Sequence, residues 1–174
     1  MEELTNQQIL EELQKFHIPR YRELPDFGLR LEQVTRYVSR YSLSPVTASM
    51  VSNYVKQKIV PGPEKKSYGV DSIAYLIVIS YLKNTVSLED VRLLLGIQQD
   101  CYPLPEAYDY FCDELETLLC YACGGRDLPV LSPGEAIPQK ELLRTALLSV
   151  TYKIYLQYQI RLLKQPGGQN AQST

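Results

Sequence analysis

The chain has 174 residues, a formal net charge of −2 and 45% hydrophobic residues. This length allows one ordinary domain or two small ones and excludes a large multidomain enzyme, and the composition is that of a folded protein. The longest apolar stretch, Ile73–Leu82, is about half of the ~20 residues that span a bilayer, and no signal-peptide pattern follows Met1. We therefore expect a soluble, cytoplasmic protein without a membrane partner.

The charge is distributed unevenly along the chain. Residues 30–66 carry seven basic and two acidic side chains, a local net charge of +5, whereas residues 84–141 carry three basic and eleven acidic ones, a net of −8. The small net charge of the whole chain therefore results from a basic and an acidic segment that offset each other. The basic segment could contact a polyanion, although solvated charged faces explain such a bias more simply.

Helical periodicity recurs along the chain, and it predicts seven helices and no strand of any length. A capping box at Thr5 and Gln8 opens the first helix, and an apolar stripe over residues 31–41 marks the second. The third is predicted to begin with Ser44 as N-cap and Pro45 at its first helical position. Its buried arc is predicted to contain Ala48, Val51, Val55 and Ile59, and its exposed face Val46, Ser49, Asn53, Lys56 and Gln57.

Proline and glycine end this third helix. The segment Pro61-Gly62-Pro63 breaks it, and residues 64–68, with two lysines, are expected to form a short extended wing. A mostly buried fourth helix follows. Ser87 and Asp90 then cap a fifth helix, which Gly96 is predicted to stop.

Three motifs follow one another within residues 31–96: Met50-Val51-Ser52-Asn53-Tyr54-Val55-Lys56-Gln57-Lys58-Ile59-Val60-Pro61-Gly62-Pro63, then Lys66-Ser67-Tyr68, then Ser87-Leu88-Glu89-Asp90-Val91-Arg92-Leu93-Leu94-Leu95. In this order they resemble the DNA-binding domain of MerR-type transcriptional regulators. That family has a recognition helix with a gly-leu-x-pro exit, an arginine-x-tyrosine wing, a helix, and a helix beginning serine-leucine-glu-glu-ile. The chain also resembles a bacterial group of uncharacterised proteins with this core and a short helical tail.

The resemblance implies a mostly helical protein with a winged helix-turn-helix, a short wing and a C-terminal helical module. The implied function is a sequence-specific transcriptional regulator that binds double-stranded DNA as a homodimer, has no cofactor and responds to an effector that the sequence does not identify. The predicted base contacts are Ser49, Met50, Asn53, Lys56 and Gln57, and the predicted phosphate contacts are Tyr54, Lys58, Lys65, Lys66 and Tyr68, assisted by Arg36 and Arg40.

Three departures from the MerR pattern keep an alternative open. Ser52 and Asn53 replace the family's arginine-tyrosine pair, the turn at residues 42–44 has no glycine, and about thirty residues precede the domain. Loss of a fixed positive charge should lower nonspecific affinity for DNA. The alternative is a protein-interaction module that keeps the winged-helix scaffold without binding DNA.

The apolar periodicity of the C-terminal region predicts two long helices, the second over about residues 139–164. This last helix is apolar over more of its circumference than one core contact needs, so it is predicted to dimerise or to be the central helix of its own bundle. The candidate dimerisation residues are Leu143, Leu147, Leu148, Val150, Tyr152, Ile154 and Tyr155. The predicted boundaries are 1–28 for an N-terminal extension, 29–100 for the DNA-binding domain, 101–164 for the C-terminal module and 165–174 for a disordered tail.

Four cysteines lie in the C-terminal half, and Cys120 and Cys123 form a C-x-x-C pair. Cys101 and Cys112 are irregularly spaced, so buried cysteines are favoured over a structural zinc site. A metal- or thiol-sensing regulator using Cys112, Cys120 and Cys123 remains a second alternative. No catalytic residue is predicted, because the sequence has no P-loop, nucleophile elbow or metalloprotease motif.

Overall fold

The computed structural model describes residues 2–13, 15–124, 127–128, 130 and 138–164, and only the backbone of residues 2–6. Within these ranges the protein is all-α, which confirms the predicted helical class. It has seven helices and no sheet: α1 Glu2–Leu13, α2 Leu31–Arg40, α3 Ala48–Lys56, α4 Val70–Leu82, α5 Leu88–Cys101, α6 Leu104–Ala122 and α7 Pro138–Leu163. None of the described helices combines the length and apolarity needed to cross a bilayer. The predicted tail, residues 165–174, lies outside the described part of the chain.

The chain divides into two compact units, and the division falls within α6. One unit is Ile18–Asp113, and the other comprises the described parts of Met1–His17 and Glu114–Thr174. The first unit contains the segment that resembles MerR regulators, and the second contains α1 and α7.

Helix α4 is the centre of the first unit. Every residue from Ser72 to Leu82 is buried, as expected of a helix that is apolar around its whole circumference. Helix α2 packs against both α3 and α4, and it turns Val34 and Val38 into the core. Two polar anchors hold the connections, since the Tyr81 hydroxyl donates to the Tyr41 carbonyl and Ser72 Oγ donates to the Pro61 carbonyl.

The connection between α2 and α3 is longer than predicted, and the predicted start of α3 is wrong. The N-cap is Thr47, whose Oγ1 accepts from the Met50 amide at 3.3 Å. Val46 is buried, and its amide donates to Ser39 Oγ at 2.8 Å. Because Val46 is buried and its amide is held by Ser39, the helix begins only after Thr47, and Ser44 does not cap it.

The predicted cap of α5 is confirmed, whereas its predicted end is wrong. Ser87 Oγ accepts from the Asp90 amide at 3.1 Å, and the Asp90 carboxylate accepts from Ser87. The helix continues through Gly96 to Cys101, since a glycine inside a helix costs only about 1 kcal/mol. Arg92 donates to the Gln57 carbonyl at 2.6 Å, which ties α5 to the C-terminal end of α3.

In the second unit, α1 packs against α7. Ile9 and Leu13 are buried. Helix α1 begins at Glu2, before the predicted cap at Thr5, and it ends at Leu13. Arg144 of α7 donates to the carboxylate of Glu114 in α6, and both side chains are largely buried. Arg161 of α7 forms an ion pair with Glu12 of α1.

The seven residues of α7 that were predicted as dimerisation contacts do not form one surface. Leu147, Val150 and Ile154 are buried within the protein's own core, so these three side chains do not lie on the surface of a single chain. Leu143, Leu148 and Tyr155 are half-buried, and Tyr152 is 50% exposed. The sequence periodicity could not separate a helix face that packs internally from one that faces outward.

Candidate nucleic-acid interface

The outward face of α3 is polar and carries no acid. Ser49, Ser52, Asn53 and Lys56 are exposed, whereas Val51 and Tyr54 turn into the core. Two side chains are placed opposite to the prediction, because Val46 is buried and Ala48 is exposed. The described face therefore offers hydroxyl, amide and ammonium groups.

Two amides on this face are held together. Gln57 Nε2 donates to Asn53 Oδ1 at 3.1 Å, one helical turn apart. Asparagine and glutamine amides can form paired hydrogen bonds with adenine in the major groove. This amide pair is suited to reading a base edge.

Lys58 ends α3 in a backbone conformation that favours glycine. Its φ is +57°, the Lys58 amide donates to the Val55 carbonyl, and the Ile59 amide donates to the Tyr54 carbonyl, both at 2.9 Å. These two bonds are the Schellman motif, in which the residue after the C-cap adopts the left-handed conformation. The motif aims the chain from α3 into the proline-containing segment.

A two-residue hairpin follows, with Lys65 and Lys66 at its tip. Glu64 and Ser67 exchange backbone hydrogen bonds of 2.9 and 2.8 Å, and the φ values of Lys65 and Lys66 are +47° and +68°. Positive φ at both central residues is the signature of a type I′ turn, for which Asn-Gly is preferred. Two lysines therefore occupy positions where their backbone is strained.

The hairpin is anchored to the segment before α2. Leu29 and Tyr68 exchange backbone hydrogen bonds of 3.0 and 2.8 Å as an isolated antiparallel bridge. Gly28, with a φ of +72°, permits this approach, because a Cβ there would lie 2.6 Å from Ser67 Oγ. The lysine tip is thus held in place by the buried base of the hairpin.

The basic side chains near α3 and the hairpin have no acidic partner in the described part of the chain. Among the described residues, no ion pair with a carboxylate involves Arg36, Arg40, Lys56, Lys58, Lys65 or Lys66, and all six are exposed. By contrast, Arg20, Arg144 and Arg161 are paired with Asp113, Glu114 and Glu12. The positive charge of the first group is available to an external anion.

Two predicted phosphate contacts lie in the core. Tyr54 and Tyr68 are only 6% and 5% exposed, and burial raises the pKa of each. Tyr54 lies in α3 and Tyr68 at the base of the hairpin, so both rings pack inside the protein and present little surface to a phosphate. An aromatic residue in a helix or turn can serve packing or binding, and the sequence pattern does not separate the two.

Two further side chains reach α3 from distant parts of the sequence. Lys83 Nζ lies 3.9 Å from Met50 Sδ, and burial lowers the pKa of Lys83. Met50 is half-buried beside it. Neither Lys83 nor Arg92 was predicted, because no local motif signals a contact across more than thirty residues.

The cysteines offer no metal centre in the described part of the chain, where no three His, Cys, Asp or Glu side chains are grouped to hold an ion. Cys112 and Cys123 are buried, Cys120 is half-buried and Cys101 is exposed. Burial and the charge of Cys120 raise the pKa of Cys123 to about 11. A raised pKa lowers the thiolate fraction that metal binding and thiol chemistry require.

The profile of a family described as a domain of unknown function (DUF1836) matches residues 19–111. No curated protein and no solved structure matches the chain. The matched segment contains α2–α5, the hairpin and the unpaired basic side chains.

Proposed function

We propose that this chain, which belongs to the DUF1836 family, is a sequence-specific, DNA-binding transcriptional regulator. The function of the family is unassigned, so the proposal is argued from the residues of this chain. In this proposal α2 and α3 form the helix-turn-helix, the hairpin at residues 64–67 is the wing, and two copies bind double-stranded DNA. Helix α3 reads bases in the major groove, while the lysines of the hairpin contact phosphates.

The hairpin tip carries the proposal. Lys65 and Lys66 both have positive φ, although Asn-Gly would form this turn without strain. Strained backbone positions tend to cluster at functional sites. Exposed, unpaired lysines at such a tip are suited to binding phosphate.

Two features support the MerR-like arrangement. The exit of α3 reads Lys58-Ile59-Val60-Pro61, and the φ of Lys58, +57°, is the conformation for which the family's glycine is suited. The bridge between Leu29 and Tyr68 gives the hairpin the short, supported form expected of a wing.

The test is the salt dependence of duplex binding. We expect the affinity of the full chain for DNA fragments selected from a random pool to fall with salt, measured by fluorescence anisotropy. The variant K65Q/K66Q should reduce the slope of log K against log salt by about two, because each phosphate contact contributes about 0.9.

Lys15 provides the matched control, because it is exposed and lies in the other unit. The variant K15Q should leave the slope unchanged. Absence of DNA binding at low salt, or equal slopes for K65Q/K66Q and the wild type, would contradict the proposal.

A protein-interaction module is the second candidate. Phe27 and Leu93 of the same unit are 78% and 64% exposed, and Ser52 and Asn53 replace the expected arginine-tyrosine pair. Apolar side chains at the surface favour a protein partner when they form a patch. This candidate gains support if duplex DNA does not bind at low salt.

A further inference from the structure

Helix α7 carries an uncovered apolar stripe. Leu142, Tyr152, Leu156, Ile160 and Leu163 are 43%, 50%, 54%, 40% and 68% exposed. At about 100° per residue, these five side chains fall within one arc of about 80°. The stripe extends for about 30 Å along the helix, at 1.5 Å per residue.

The stripe is separate from the face that packs internally. Leu147, Val150, Thr151 and Ile154 are buried, and the centre of their arc lies nearly opposite the centre of the stripe on the helical wheel. The ion pair of Arg161 with Glu12 places α1 away from the stripe. Within the described residues, Tyr152 makes a side-chain hydrogen bond with Tyr121 of α6, and each of the five stripe side chains still keeps at least 40% of its surface exposed.

The stripe has the spacing of a two-stranded coiled coil. Leu142, Ser149, Leu156 and Leu163 recur every seven residues and take the a position of a heptad. Tyr152 then takes a d position and Ile160 an e position, and the remaining d positions are Thr145 and Gln159. A seven-residue repeat keeps such a seam facing a second helix. We propose that the stripe binds the same stripe of a second copy, with the two α7 helices parallel.

Charge selects the parallel arrangement. Lys153 and Lys164 lie on one edge of the stripe, and no acid occurs among residues 142–164. Antiparallel pairing centred on the stripe places Lys153 of one copy beside Lys153 of the other, where like charges repel. Parallel pairing places Lys153 against the opposite, uncharged edge, which contains Leu148 and Tyr155.

The interface deepens the dimer of the proposed function and rests on that function for its biological purpose. Its formation does not require DNA. Measuring the oligomeric state without DNA therefore tests the interface independently of the DNA-binding experiment described above.

Sedimentation equilibrium of the full chain, from about 1 to 200 µM, tests the interface. We expect a reversible dimer with a Kd on the order of 10 µM, because one helix pair is smaller than a standard interface. The variant L156E should weaken dimerisation at least about tenfold, whereas V130E, at a 92% exposed valine outside α7, should not.

Circular dichroism and urea unfolding of L156E should match the wild type at monomeric concentrations, since Leu156 is exposed in the protomer. If L156E misfolds, I160E repeats the test on the same stripe. A wild-type chain that is monomeric at all concentrations, or a dimer that both variants leave intact, overturns the interface.

A cysteine at position 149 tests the orientation in a C101S background, which removes the exposed native thiol. Parallel helices bring the two copies of position 149 within the ~6 Å between Cα atoms that a disulfide requires. Antiparallel helices centred on the stripe displace them by about 10 Å along the axis, which exceeds the reach of a disulfide. We expect oxidation to cross-link C101S/S149C and not C101S alone, and a dimer that fails to cross-link overturns the parallel arrangement.

Discussion

Three lysines hold backbone conformations that side chains rarely adopt. Lys58 ends α3, and Lys65 and Lys66 form the hairpin tip, with φ values of +57°, +47° and +68°. Each position would be less strained with glycine. Retaining a long cationic side chain at all three therefore lowers stability, which is consistent with a requirement for charge at these places.

Replacing these lysines by glycine should stabilise the protein. The variants K58G and K66G should each raise the free energy of unfolding by up to about 1 kcal/mol, because glycine adopts positive φ without a Cβ clash. Urea denaturation measures the change. The control K56G, inside α3, should lower the free energy of unfolding by about 1 kcal/mol, and a destabilised K66G would contradict the assigned turn.

Gly28 and Gly96 should respond to alanine in opposite directions. Gly28 has a φ of +72° and an added Cβ would lie 2.6 Å from Ser67 Oγ, whereas an added Cβ at Gly96 meets nothing within 4 Å. We expect G28A to lower the free energy of unfolding by about 2 kcal/mol or more. G96A, inside α5, should raise it by about 0.5–1 kcal/mol. Thermal unfolding of the two variants measures these changes. If G28A and G96A changed the free energy of unfolding in the same direction, the different roles assigned to Gly28 and Gly96 would be wrong.

At the scale of elements, side chains decide where the helices begin and what they contact. Thr47 begins α3 and Ser87 begins α5, each through a side-chain oxygen that accepts from an amide. Arg92 then joins α5 to the end of α3. Such contacts fix the direction of α3 relative to its neighbours within the first unit.

The ion pair of Arg144 with Glu114 should be the polar contact of the second unit most sensitive to substitution. The side chains are only 14% and 9% exposed. Removing one partner leaves a buried charge without compensation, so R144M should lower the free energy of unfolding by about 3 kcal/mol. Much of this loss should return in E114M/R144M, which buries no charge. Urea unfolding of the single and double variants tests this, and a double variant no more stable than R144M would refute it.

At the scale of the whole molecule, opposite charges belong to different stretches of the chain. Residues 30–66 have a net charge of +5 and residues 84–141 a net charge of −8. A polyanion attracted to the first stretch is repelled by the second. This separation makes the total of −2 a poor guide to the binding partner.

The variant L156E should lose dimerisation and keep the ability of each protomer to bind DNA. Its affinity for a duplex with a single half-site should equal that of the wild type, because the stripe contacts no DNA in the proposed arrangement. Its affinity for two correctly spaced half-sites should fall by at least about tenfold, because the advantage of linked sites is lost. Electrophoretic mobility shifts with the two duplexes measure both, and an equal loss on both would contradict the separation.

The sequence by itself determined the helical class, the number of helices and the cap of α5. These features depend on apolar spacing and on residues within one helical turn, as at Ser87 and Asp90, so a local pattern is sufficient to predict them. It also located the exposed lysines and the amides of α3, because charge and polarity favour the surface.

Only the tertiary structure decided which apolar and aromatic side chains face inward. Tyr54, Tyr68, Leu147, Val150 and Ile154 became core residues, since burial depends on neighbours that are distant in sequence. The start of α3 likewise depends on Ser39, which binds Val46 seven residues later. The strained lysine tip and the uncovered stripe of α7 arise in the same way, because a backbone conformation and an unpartnered face exist only once the chain has packed.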